Sequence, residues 1–326
     1  MVPVRVVFMG SPEIAASCLR ALAAAHEVSL VVSQPDKPAG RGGQLAAPAA
    51  KVAALELGLP IAQPKSARNG ELRDAMKATG AELAVVVAYG KILPKDVLEV
   101  LPRGCINVHA SILPKYRGAA PVQWSVIHAE PETGVAIMQL DEGMDTGPVY
   151  LDKRTAIDPD ETSGELLARL APIGAAAMLE AIERIAAGTA VAAAQDHAAA
   201  THAPMLAKAD GAIDFSQAAK LVAARIRGVD PWPGAQALLR GQIVKLFRAR
   251  PDPTPEAPLH AETGVPVFGT VIAIDGQGMH VMCGDGPIAI RDIQAPGRKR
   301  LGAQQFAAGR GVAVGDVLAK PELEAK

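Results

Sequence analysis

Five short runs of β-branched and other apolar residues, set between longer alanine-rich segments, constrain the first half of this chain more than any other feature. The runs are VRVVFMG (4–10), VSLVVSQ (28–34), ELAVVVAYG (82–90), GCINVHA (104–110) and VAIMQL (135–140). Segments 12–25, 47–57, 69–79 and 119–129 between them have the amphipathic spacing of helices. A strand that is apolar at nearly every position is buried on both faces, an environment supplied by a parallel sheet covered by helices. The expected fold class is therefore α/β, a Rossmann-like, mostly parallel sheet with helices on both faces. VYLDKRTAI (149–157) offers one more strand, and 161–187 a closing helix that stops near Gly188.

Beyond that helix the texture changes. Residues 187–204 are small, without a clear period, and read as a linker between domains. A helix is expected over 216–227. It is followed by strand-like pieces with dense glycine and Asp-Gly turns: GQIVKLFRAR (241–250), FGTVIAIDGQG (268–278), MHVMCGDG (279–286) and PIAIRDIQ (287–294). That pattern suits a small β-barrel better than a second parallel sheet. PDPTPEAPLHAETG (251–264) reads as a Pro-rich surface loop within it. The expected division is a catalytic domain over 1–188, a linker over 189–207 and a C-terminal domain over 208–326.

With 326 residues, 49% hydrophobic and 21% charged, the chain is long enough for two globular domains with their own cores. The net charge of −1 marks no polyanion binder overall. Residues 207–326 carry 15 Lys and Arg against 12 Asp and Glu, a net of +3 that leaves 1–206 at −4. This asymmetry permits a nucleic-acid partner and no more. Three scattered cysteines, Cys18, Cys105 and Cys283, form neither a disulfide framework nor a zinc pair, and read as small buried hydrophobes in a reducing compartment. No signal peptide or membrane-length apolar run is present, so a cytoplasmic protein is expected, with no membrane partner. Nothing in the sequence demands a partner subunit, and a monomer is expected.

FMGSPEIAAS is a strand, a turn at Gly10-Ser11 and a helix entered at Pro12. A dinucleotide fingerprint needs glycines where Pro12 and Ala15 stand, so the plain βα turn is the better reading. GRGGQ (40–44) lacks the Lys-Ser/Thr of a phosphate-binding P-loop and reads as a flexible loop bearing Arg41.

Chemistry enters at NVHASILPKYRG (107–118). Side chains at i and i+2 of a strand project from one face, so Asn107 and His109 point together at the strand's carboxyl end, where open α/β sheets place their ligand crevices. Taken alone, the pair also fits two hydrogen-bonded polar groups in a core. A second polar run, LDEGMDTG (140–147), follows the strand 135–140 and offers Asp141, Glu142 and Asp145. Alone it fits an acidic surface turn. Glycines two residues before and after Asp145 permit a close bend that could bring its carboxylate to His109. No H-x-x-x-H or Cys/His ligand pair argues for a metal. Ser111 lies near His109 but lacks the G-x-S-x-G elbow of a serine hydrolase. Amide, imidazole and carboxylate without a nucleophile suit direct acyl transfer between two bound substrates.

NVHASILPKYRGAAPVQW followed by LDEGMDTGPV resembles the signature of folate-dependent formyltransferases, Asn-x-His-x-Ser-Leu-Leu-Pro and Asp-x-Gly-x-Asp-Thr-Gly, with Ile112 in place of the first Leu. FMGSPEIA, VVSQPDKPAGRG, VVVAYGKILP, HAPMLAKADGAIDF, VDPWPGA and the segment from FGTVIAIDG to IQAPGRKRL extend the resemblance over nearly the whole chain, toward the tRNA-directed branch of the family. The resemblance implies Asn107, His109 and Asp145 as the catalytic set and 10-formyltetrahydrofolate as donor, with no metal. It implies a folate-binding loop at Ser111, Ile112, Leu113 and Pro114, with the pterin toward 83–89 and 141–145. The implied acceptor is initiator methionyl-tRNA. Lys37 and Arg41 are expected against its acceptor stem. The C-terminal domain is expected to be an OB-like barrel, with Arg248, Arg250, Arg298, Lys299 and Arg300 as phosphate contacts. An amino-sugar-nucleotide formyltransferase and a non-catalytic tRNA-binding protein are the alternatives.

Overall fold

The computed structural model describes residues 3–39, 44–252 and 267–323. Its packing divides the chain into two units. One comprises Met1–Pro121, Thr133–Thr155 and Leu167–Pro204; the other comprises Val122–Glu132, Ala156–Leu166 and Met205–Lys326.

Through the first half the elements run β1 (Arg5–Gly10), α1 (Glu13–Ala25), β2 (Glu27–Val32), β3 (Lys37–Ala39), β4 (Gln44–Ala46), α2 (Ala49–Glu56), β5 (Ile61–Ala62) and α3 (Glu71–Ala78). They continue with β6 (Leu83–Val87), α4 (Lys95–Leu98), β7 (Cys105–His109), α5 (Pro121–Ile127), β8 (Glu132–Gln139), β9 (Val149–Ala156) and α6 (Ser163–Ala186). The main sheet has the order β5-β2-β1-β6-β7-β8-β9. Pairs from β5 across to β7 are parallel. Every residue of β6 and β7 is buried, as their unbroken apolar sequence requires.

One strand departs from the expected parallel set. β8 runs antiparallel to β7, with His109 opposite Ala136 and Ile106 opposite Gln139. A run buried on both faces has the same apolar sequence whichever way it points, so composition could not report its direction. Either side of the segment read as a loop around Arg41, β3 and β4 pair antiparallel. Arg41 lies outside the described residues.

Residues 187–204 carry structure of their own. Val149 and Ala193 exchange backbone hydrogen bonds, Arg117 N–H donates to the Thr201 carbonyl and Ala203 N–H to the Arg117 carbonyl, and residues 197–199 form a 3-10 turn. Gln195 is buried.

The second unit adds α7 (Ala219–Gly228), β10 (Ala235–Leu239), β11 (Gln242–Pro251), β12 (Val271–Asp275), β13 (Gly278–Met282), β14 (Pro287–Gln294), β15 (Leu301–Gly302), α8 (Ala303–Ala308) and β16 (Leu318–Ala319). These strands form an antiparallel sheet ordered β12-β13-β14-β11-β10-β16, with β15 on β14. The two ends of that path meet, because Val271 donates to Asp316, Gly315 to Val271 and Leu318 to Gly269. The sheet thus closes on itself as a barrel, which α7 and α8 pack against. Most of the Pro-rich segment 251–264 lies outside the described residues.

All three cysteines are buried free thiols, and burial pushes each up to about 12. No helix among the described residues is long and apolar enough to cross a membrane.

Candidate active site

β7 delivers the first two polar groups. Its neighbours β6 and β8 fix the strand along its length, and alternation sends Asn107 and His109 to one face while Val108 packs on the other. Both residues are buried. The His109 Nε2 lies 2.9 Å from the carbonyl oxygen of Tyr116. A carbonyl only accepts, so Nε2 carries the proton and donates it there. The other ring nitrogen, Nδ1, faces the Asp145 carboxylate at 3.6 Å. Among the described residues the Asn107 side chain has no hydrogen-bond partner. It differs from the Tyr89 hydroxyl, which is both sealed from solvent and unpartnered. An amide that reaches open space with no internal partner is available to an incoming group.

Asp145 arrives by a route unlike the simplest expectation. Because β8 is antiparallel, the chain leaves it beside the start of β7, where Leu140 donates to the Cys105 carbonyl. The loop then folds back so that Asp145 reaches His109. Asp145 itself takes the left-handed conformation, φ 55°, while Gly143 and Gly147 do not. Aspartate tolerates this region better than most residues. The two glycines serve close approach instead. A Cβ on Gly147 would strike the Gln139 carbonyl, and one on Gly143 the Thr146 hydroxyl. Asp141 caps the bend, accepting from Gly143 N–H at 3.0 Å and Thr146 Oγ1 at 2.6 Å. Asp141 and Glu142 are exposed and stay outside the cluster.

The connection after β7 supplies the rest of the frame. Tyr116 and Gly118 have φ of 61° and 119°. A bulky side chain in the left-handed region costs on the order of 1–3 kcal/mol and persists only where surroundings over-determine it. Here they do: Tyr116 N–H donates to Thr201 Oγ1 at 2.9 Å, and Gly118 N–H to Asp145 Oδ2 at 2.8 Å. Ser111 is fully buried and its hydroxyl donates to the Lys115 carbonyl at 2.7 Å, closing a turn over Ile112, Leu113 and Pro114, which are part-exposed. Ile112 lies over Gly134 of β8, where a Cβ would collide with it. A cavity of about 740 Å³ lies beside the start of β7, lined by Leu98, Leu101, Gly104 and Leu140 with residues 141–143; Asn107, His109, Asp145 and residues 111–114 do not line it. It takes in part of the expected pterin region, bounded by the 98–104 turn and not by β6.

The expected RNA contacts are unequal. Lys37 is exposed on β3. Burial first, and then the nearby Lys37 charge, pull the Lys91 ammonium below its ordinary range, so the two lysines form a positive neighbourhood. In the second unit Arg248 pairs with Glu165 at 2.6 Å, and Arg250 binds the Gln277 side chain. Arg300 pairs with Asp292 at 2.6 Å and stacks 4.2 Å from the Phe247 ring centre. Arg298 and Lys299 are exposed with no side-chain partner among the described residues.

Sequence reasoning missed Tyr116, Arg117, Gly118, Thr201 and Gln195, which orient the cluster. Three of them lie in the motif already singled out, but Tyr116 and Gly118 act through backbone groups that carry no side-chain signature, and Arg117 acts through a guanidinium whose partner is distant in sequence. Thr201 and Gln195 lie in the aperiodic stretch 187–204, which gives no signal of burial.

The chain matches the formyl transferase family over residues 4–182, and the C-terminal domain of formyl transferases over residues 205–311. A methionyl-tRNA formyltransferase of Desulfotalea psychrophila is 46% identical over 96% of this chain and 95% of its own length. One from Sorangium cellulosum is 45% identical over 97% of this chain and 100% of its own. Among solved structures, the N-formyltransferase from Helicobacter canadensis in complex with folinic acid and dTDP-3-aminofucose is 16% identical with a TM-score of 0.64. The match covers 90% of this chain and 99% of that one. At that identity the likeness is one of fold.

Proposed function

The chain belongs to the formyl transferase family, and we propose that it transfers the formyl group of 10-formyltetrahydrofolate to the α-amine of methionine esterified to initiator tRNA. The similarity to methionyl-tRNA formyltransferases over nearly the full length of both chains supports this acceptor. One observation carries the chemistry. The His109 ring is held through Nε2 on the Tyr116 carbonyl with Nδ1 turned toward the Asp145 carboxylate, beside an Asn107 amide with no partner among the described residues. The catalytic function is assigned to residues 1–188 and acceptor binding to 208–326, with 189–207 between them. The separate family matches over 4–182 and 205–311 support that division.

The donor's fit is supported by the part-exposed turn Ser111–Pro114, built by the Ser111 hydroxyl and following directly on His109. Residues 111–114 are assigned to hold the carrier, which supplies an activated formyl carbon. The neutral amine forms a bond to that carbon, charge collects on the formyl oxygen, and the bond to the carrier nitrogen breaks. Asn107 donates to the oxygen as its charge grows, the interaction that counts most when it strengthens in the transition state. His109 and Asp145 accept the proton that the attacking nitrogen must shed and return it to the departing nitrogen, so protons balance without a metal. Lys37 and Arg41, with Arg248, Arg250, Arg298, Lys299 and Arg300, are assigned to RNA phosphates. Arg298 and Lys299 are the readiest, because the other three of the C-terminal set already bind within their unit.

The test supplies the protein with charged initiator tRNA and 10-formyltetrahydrofolate and follows formyl transfer directly. The expected product is N-formylmethionyl-tRNA. Formylation of an amino-sugar nucleotide in its place would overturn the assignment.

A further inference from the structure

Gln195 is a buried glutamine whose four side-chain hydrogen-bonding positions are all used. Its Oε1 accepts from Arg117 Nε at 3.1 Å and from Arg117 Nη2 at 2.6 Å. Its Nε2 donates to the Asp145 carbonyl at 2.9 Å and to the Gly147 carbonyl at 2.6 Å. An amide has one acceptor oxygen and two N–H donors, and turning it over would set donors against a guanidinium. The network therefore fixes its orientation. Arg117 is buried without a carboxylate among these partners. Its Nη2 also lies 3.1 Å from Nδ1 of the exposed His197.

The residues on either side of Arg117 are the ones that touch the proposed chemistry. The Tyr116 carbonyl holds His109, and the Gly118 N–H holds Asp145. One side chain thus ties the 116–118 turn to the backbone of Asp145, where φ is 55° and where a glycine follows two residues on.

We infer that Gln195 is a positioning residue, clamping the loop of Asp145 to the turn that orients His109 so that the two stay in register. The inference rests on the formyl-transfer reading of that site. It acts through backbone and contacts neither substrate. Reacting groups misplaced by about 1 Å lose on the order of 100-fold in rate, which sets the scale.

The test uses the full chain and two replacements. Gln195→Glu keeps the volume and an oxygen for Arg117 but loses both donors to the Asp145 and Gly147 carbonyls. Gln195→Leu removes every bond. For each we expect kcat to fall about 10- to 100-fold, with KM for 10-formyltetrahydrofolate and for charged tRNA changed by no more than about twofold. Amide hydrogen exchange measured in the ligand-free protein should speed up by about tenfold or more across 143–147, with β6 and β7 unchanged. A purely structural glutamine would lower the thermal midpoint and leave kcat per folded molecule intact, which would overturn the inference. So would wild-type kcat in Gln195→Glu, or exchange at 143–147 that does not respond. A wild-type chain inactive with both substrates would instead overturn the formyl-transfer reading, while the exchange measurement still decides whether Gln195 holds the loop.

Discussion

Gly118 donates its backbone N–H to the Asp145 carboxylate at 2.8 Å, across 27 positions of sequence. Any substitution but proline keeps this main-chain donor, yet its direction depends on φ of 119° at a residue without a side chain. The carboxylate is thereby aimed by the conformation of a neighbouring turn as much as by its own loop.

Gly118→Ala is expected to disturb both stability and rate. Its Cβ would lie 2.7 Å from the Ala203 carbonyl, on a backbone that alanine adopts poorly. We expect a loss of about 1–3 kcal/mol in unfolding free energy. A fall in kcat of roughly 100-fold should accompany it. Denaturant titration and single-turnover transfer measure the two separately.

Asn107→Ala and Asp145→Asn remove an oxyanion donor and a proton carrier. Each should lower kcat by about 100-fold or more in a protein with an unchanged circular dichroism spectrum. Near-wild-type kcat in either folded variant contradicts the assigned role.

His280 predicts a pH dependence of stability in the C-terminal unit. Burial works against its charge, but hydrogen bonds and charge from Asp275 and Asp252, one at each ring nitrogen, outweigh it and hold the imidazole above its ordinary 6.5. A group whose folded-state pKa is raised stabilises fully below its unfolded value. That stability is lost as pH rises through the folded value. Wild type should therefore lose more unfolding free energy than His280→Gln between about pH 6.5 and the alkaline side. Parallel curves for the two proteins would refute the coupling.

Binding of initiator tRNA should weaken steeply with salt. Arg298→Ala and Lys299→Ala should each reduce the slope of log K against log salt by about 1. Arg300→Ala should cost stability first, because that side chain pairs with Asp292 and covers Phe247. Filter binding across a salt series, beside thermal melts, tells the two effects apart.

Much of this was readable before any coordinates. Runs such as ELAVVVAYG can only be strands buried on both faces, and the i, i+2 spacing of Asn107 and His109 put both on one face. The direction of β8 was not readable, because an all-apolar strand carries no polarity. Nor was the left-handed Asp145: its flanking glycines pointed to a close bend, but the positive φ falls on the aspartate and the glycines let neighbouring groups approach. Gln195 was invisible for another reason. Its partners are two carbonyl oxygens and one arginine about 80 positions away, and no local pattern encodes such a meeting.

The joined ends of the C-terminal strand path, Gly269 to Leu318 and Val271 to Asp316, have a consequence for recognition. Peptide groups spent on each other there are unavailable to a visiting strand, so augmentation along that seam is blocked. A partner of that unit must therefore be held elsewhere than by strand pairing along this seam.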